Sequence, residues 1–106
     1  MPFKVLTIVR APGSNPETDR CFLKNESIET TTIAFDPSDN QGIIDTCVNM
    51  TENNQLHAIL LCPAVSNELI ATLSKLIGDK VAIFAGKGDF KSVFIASEIT
   101  KKEWSF

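Results

Sequence analysis

Apolar and polar positions along this chain follow two different periods, and the sharpest changeover lies between residues 56 and 86. Residues 58–62 form an unbroken apolar run that stops at Pro63. Leu69, Ile70, Leu73, Leu76 and Ile77 then recur at the three- and four-residue spacing that keeps side chains on one helix face. Gly78 closes that helix, and residues 81–85 are apolar again. Strand, helix and strand in this order predict a right-handed parallel βαβ unit. Ligands of open parallel sheets gather where strand carboxyl ends meet helix N-termini, so the same pattern puts a candidate site near residues 62–68.

Upstream, residues 3–9 read as a strand, apolar apart from Lys4 and Thr7. The stretch Arg10-Ala11-Pro12-Gly13-Ser14-Asn15-Pro16 ends it, because two prolines and a glycine do not continue a strand. Asn15 resembles a cap, with Pro16 at the first helical position and Glu17 and Asp19 in the first turn. That predicts a short helical turn over residues 16–22. Residues 27–35, with Thr30, Thr31, Thr32 and Ile33 at the centre, favour a strand that is half-exposed or at a sheet edge. Asp36-Pro37 ends it, and Ser38 with Gln41 has capping-box spacing, so a helix is expected from Asp39. Its apolar face is Ile43, Ile44, Cys47 and Val48, with Thr51.

Beyond the central unit, Gly86-Lys87-Gly88-Asp89 reads as a turn and residues 92–96 as an antiparallel edge strand. Residues 97–106 are expected to be a tail that carries the only tryptophan, Trp104, and Phe106. The expectation is therefore one α/β domain over residues 1–106: a small, mainly parallel sheet of four or five strands with two main helices.

This inventory contains a mismatch. The strands at 3–9, 58–62 and 81–85 are apolar on both sides, as in a sheet covered on both faces. Right-handed crossovers between adjacent strands put both helices on one side. The other face then needs the turn at 16–22, the tail, or a second copy of the chain. A bare apolar face is adhesive, and a homo-oligomer is the expectation.

Composition narrows the field. With 43% hydrophobic and 22% charged residues the chain is globular in type and not disordered. Thirteen acidic against ten basic residues give a net charge of −3 without a basic cluster. That balance speaks against nucleic acid or an anionic membrane as partner. Every apolar run is far shorter than the ~20 residues that span a bilayer. The opening Met-Pro-Phe-Lys-Val does not read as an export leader, so the expected location is cytoplasmic.

The three cysteines, Cys21, Cys47 and Cys62, are odd in number and widely spaced, which argues against a disulfide framework. A single histidine and the lack of C-x-x-C argue against zinc. Gly86-Lys87-Gly88 lacks the third glycine and following helix of a dinucleotide motif. No cofactor is called for.

Candidate chemistry collects after the second apolar run. Cys62 sits at a strand's carboxyl end, ahead of a helix start that would favour its thiolate. A small buried hydrophobe accounts for it as well. A nucleophile also wants a base, and His57 lies five strand residues earlier, ~17 Å away, so a Cys–His pair would need a neighbouring subunit. Ser66 is expected to cap the helix, with Asn67 and Glu68 in its first turn. Helix starts bind anions, although the charge of Glu68 opposes that here. Capping explains these residues; the other use of Glu68 is as a general base or ligand acceptor. Arg10 and Arg20 flank the loop after the first strand and suit a carboxylate or phosphate, or local ion pairs with Glu17 or Asp19.

Ala11-Pro12, Pro16 and Arg20, then Leu61-Cys62, Asn67-Glu68 and Gly78 with Lys80-Val81, resemble a family of short single-domain α/β proteins known only as a domain of unknown function. The similarity runs from the first strand to about Gly86. It implies a compact α/β fold of about this length and carries no assigned activity. The shared positions it implies are Pro12, Arg20, Cys62, Asn67 and Glu68. Where such relatives have a glycine-rich turn after the cysteine, this chain has Pro63-Ala64-Val65-Ser66, whose side chains narrow any pocket there.

The leading expectation is a homo-oligomeric protein that binds a small, anionic metabolite through Arg10, Pro12, Arg20, Ser66 and Asn67. The alternatives are a small isomerase or lyase using Cys62 or Glu68, and an interaction protein without a pocket.

Overall fold

The computed structural model describes residues 2–86 and 90–104, apart from the side chain of Phe90. In chain order the elements are β1 (Phe3–Arg10), β2 (Arg20–Lys24), β3 (Ile28–Phe35), α1 (Asn40–Asn54), β4 (Ala58–Leu61), α2 (Asn67–Ile77), β5 (Ala82–Ala85) and α3 (Phe90–Trp104). The strands form one sheet in the order β2-β3-β1-β4-β5. β1 pairs in parallel with β3 and with β4, β4 pairs in parallel with β5, and only β2 runs antiparallel, along β3. The fold is α/β, as the pattern predicts, and the central βαβ unit is parallel.

Register fixes which residues share a face. Leu6 pairs with Ile59 and Thr31, and Ile8 pairs with Leu61 and Ile33. Leu6, Ile8, Ile33, Ile59 and Leu61 point to the side covered by α1 and α2, where they join Ile43, Cys47, Leu69, Leu73 and Ile77 in one buried cluster. β3 to β4 and β4 to β5 step the same way across the sheet, so right-handed crossovers place both helices together. The alternate residues Phe3, Val5, Ala58, Leu60, Ala82 and Phe84 point to the other face.

α2 forms as the pattern expects. The Ser66 hydroxyl accepts from the Leu69 amide at 3.2 Å, and Gly78, at φ +71°, ends the helix where a side chain would be strained. The start of α1 differs from the Ser38 capping box. Asp39 is the cap and its carboxylate accepts from the Gly42 amide at 2.9 Å. A Cβ on residue 42 would lie 2.3 Å from that carboxylate, so glycine is what lets the cap fold over. The Ser38 hydroxyl instead donates to Asp36.

Two other expectations are corrected. Asn15 does organise a turn, its side chain accepting from the Glu17 amide and its carbonyl from those of Thr18 and Asp19. The turn stops there, and residues 20–24 are strand. Asn25 supplies the reason, because its side chain accepts from the Ser27 and Ile28 amides and closes a hairpin onto β3. Ladder pairing along Thr30–Ile33 outcompetes a lone helical turn.

Residues 92–96 are likewise not an edge strand, and 97–104 are not a tail. Both belong to α3, a third helix. Val93, Ala96, Ser97, Thr100 and Trp104 recur at helical spacing, and Lys101 and Lys102 suit the last turn. The turn expected at Gly86-Lys87-Gly88-Asp89 falls mostly outside the described residues, as does Phe106.

Candidate functional site

The parallel strands end together at a carboxyl rim. The Cys62 amide donates to the Ile8 carbonyl at 3.0 Å, Ala11 to Phe35 at 2.9 Å and Gly86 to Leu61 at 2.8 Å. From β1 the chain goes to one side, to β3, and then returns across β1 to β4 on the other. The junction of β1 with β4 is therefore the point where strand order reverses, the usual place for a crevice in an open sheet.

A cleft of about 680 Å³ opens there. Val9, Arg10, Cys62, Pro63 and Ala64 form its floor and rim, and α3 forms its opposite wall through Val93, Ala96, Ser97, Thr100 and Trp104. The walls are mostly apolar, and the volume falls in the range of small-molecule sites.

Arg10 is the cation of this cleft. It ends β1 and its guanidinium reaches two loops, donating from Nη1 to the Ala64 carbonyl at 3.0 Å and from Nη2 to the Pro37 carbonyl. Its Nε is buried and, among the described residues, meets no acceptor. Asp36 lies behind it. Bonds from the Ser38 hydroxyl and the Gly13 and Ser38 amides, with the Arg10 charge, hold the Asp36 carboxyl down at about 2. Asp36 thus organises the loops beside Arg10, and sequence reasoning passed over it. Its place in Asp36-Pro37-Ser38, a self-bonding turn, was the available signal.

Cys62 is half-buried and lines the cleft beside Arg10. The other expected site residues stand elsewhere. Arg20 is exposed on β2 and donates to the Pro16 carbonyl at 2.7 Å. Three strand spacings, ~14 Å, separate β2 from β4 and Cys62. Pro12 is exposed in the loop after β1, and Asn67 and Glu68 are exposed at the start of α2. Ser66 is occupied with capping. Of the seven expected residues, Arg10 and Cys62 meet at the cleft.

His57 lies at the opposite, amino edge. Its Nδ1 accepts from the Lys4 amide at 2.9 Å and its ring stacks on Phe3, with centroids 5.4 Å apart. α3 was the part of the site that sequence reasoning missed, and the helical recurrence from Val93 to Trp104 carried the signal. Among the described residues no cluster of three or more histidine, cysteine, aspartate or glutamate side chains could hold a metal ion, and no helix is long and apolar enough to cross a membrane.

No curated protein and no solved structure matches the chain. One family model does match, over residues 3–100, and by that match the chain belongs to DUF6506, described as a family of unknown function.

Proposed function

We propose that this cytoplasmic protein binds a small, mostly apolar metabolite carrying one anionic or carbonyl oxygen, in the cleft between the carboxyl rim and α3. The observation that carries the reading is the buried Arg10 Nε, which meets no acceptor among the described residues, in a residue lining a mostly apolar cleft. A buried donor left unpaired costs about 1–3 kcal/mol, and a ligand oxygen would remove that cost. Arg10 Nη1 and Nη2 each donate one N–H to a loop carbonyl and keep a second, so a ligand oxygen at Nε can also accept from a neighbouring Nη. The free state of all three cysteines agrees with a reducing compartment.

Binding fits better than catalysis. Cys62 is the nucleophile at the cleft, while the base candidates His57 and Glu68 lie at the amino edge and on the exposed start of α2. Straight-chain carboxylates from butanoate to decanoate, screened by thermal shift, test the reading. A member that fits raises the melting temperature of the wild type, since only the folded state binds it. Ala96→Trp fills the cleft from an exposed helix position and is expected to abolish the shift while leaving the fold intact. A series that leaves the wild type unmoved, or moves Ala96→Trp equally, overturns the proposal.

A further inference from the structure

The chain exposes more surface than a self-sufficient fold should. Its accessible area is 7042 Å², whereas roughly 5,800 Å² is expected of a folded monomer of 11.6 kDa. The excess, about 1,200 Å², is larger than the ~800 Å² that each partner gives to a standard interface. The radius of gyration points the same way, at 14.2 Å against about 12.9 Å for a compact chain of this length.

The excess falls in two places, on α3, whose residues 91–104 are exposed except for Thr100, and on one half of the open sheet face. On the sheet face turned away from α1 and α2, the paired Leu60 and Phe84 are 40% and 55% exposed, and Phe3 is exposed farther along, at the amino end of β1. Phe3, Thr7, Leu60, Ala82 and Phe84 stand on this face of β1, β4 and β5 around the buried Val5 and Ala58, with no charged residue among them. Across β3 the same face turns to hydroxyls, Thr30 and Thr32. Ile95 and Ile99 of α3 are also exposed at the carboxyl end of the molecule.

We infer that the β1–β4–β5 half of this face is the interface of a two-fold homodimer, with Ile95 and Ile99 of α3 at its margin. In a two-fold contact each residue near the axis meets its own counterpart, so a charge there would face its like. A patch free of charge on a chain of net charge −3 is self-complementary in that sense. Two such faces pack as aligned sheets ~10 Å apart, with the side chains of each filling the gap. The inference stands apart from the ligand reading. The dimer rests on sheet area, the ligand on Arg10 and the cleft, and either can fail alone.

Sedimentation equilibrium of the wild type is expected to give twice the chain mass of 11.6 kDa. Leu60→Lys combined with Phe84→Glu, both at exposed positions, should return the single-chain mass with unchanged helical circular dichroism. Leu76→Lys, equally exposed but on the outer side of α2, should leave the doubled mass in place. Should the double variant unfold, Ala82→Lys at the exposed edge of β5 replaces it. A wild type of single-chain mass at every attainable concentration overturns the inference, and then either α3 folds onto its own sheet or a different protein covers it. An oligomer that survives the open-face changes, or that Leu76→Lys disperses, overturns it as well.

Discussion

The two faces of the sheet are written in the same alphabet and have different fates. Along β1 and β4, Leu6, Ile8, Ile59 and Leu61 are sealed under α1 and α2, while Leu60, one residue away, is left open. Strand composition does not separate them. What separates them is the connection, since two crossovers of the same hand in the same direction deliver both helices to one side. The segment that joins β1 to β3 in sequence could have formed a helix on the other side, but it forms the edge strand β2, a hairpin arm held by Asn25. Hydropathy thus reports that a face wants cover, and chain topology reports whether this chain can supply it.

Cysteine reactivity is the sharpest way to break that comparison. Cys47 is on the buried face of α1, turned to the covered side of the sheet, and burial pushes its thiol up to about 12. Ionisation alone should slow its alkylation by about three orders of magnitude relative to a free cysteine near pH 8. Cys21 is exposed on the edge strand. Iodoacetamide labelling followed by peptide mass spectrometry is expected to find Cys21 modified early and Cys47 only after unfolding. Equal rates would mean that α1 does not seal its face.

Truncation measures the same contrast in free energy. Leu6→Ala empties a fully buried site and is expected to cost about 3 kcal/mol in urea unfolding. Leu60→Ala, compared in a Phe84→Glu background chosen to prevent the proposed pairing between copies, should cost less than about 1 kcal/mol. Equal costs would show that the open face is covered within one chain, and α3 would be the cover.

Much of this was legible in the residues and some was not, for physical reasons. The unit from β4 to β5 declares itself because Leu69, Leu73 and Ile77 keep a helical stripe between two apolar runs, with Ser66 and Gly78 at the ends. The exposed face followed from crossover handedness alone. α3 was misread because Val93-Phe94-Ile95 is rich in β-branched and aromatic residues, which imitate a strand over a short window. Over fifteen residues the recurrence to Trp104 prevails. Arg10 and Cys62 meet because Arg10 ends β1 and Cys62 directly follows β4 at the reversal point, which topology dictates. Arg20 went elsewhere because its position depends on a hairpin whose signal, Asn25, is a single side chain. The unpaired Nε of Arg10 was beyond sequence altogether, since it depends on where two loop carbonyls fall.

Within the covered face a smaller contrast remains, between the ends of the two helices. α2 closes on Gly78 at φ +71°, and α1 closes on Gln55 at φ +55°, a left-handed position that costs a residue with a side chain about 1–2 kcal/mol. Gln55→Gly relieves that strain but adds freedom to the unfolded chain, which returns part of the gain. The net expectation is a stabilisation of about 0.5 kcal/mol, or roughly 2–4 °C in Tm by calorimetry. Gly78 has φ +71° with ψ −145°, outside the left-handed helical region that Gln55 occupies and nearly reserved for glycine, so Gly78→Ala should lower Tm instead. Both changes lie on the helices of the sealed side, so the mass of the assembly should stay as in the wild type. A Gln55→Gly variant that lost stability would show that the exposed glutamine side chain holds the α1 end by a contact stronger than the strain it causes.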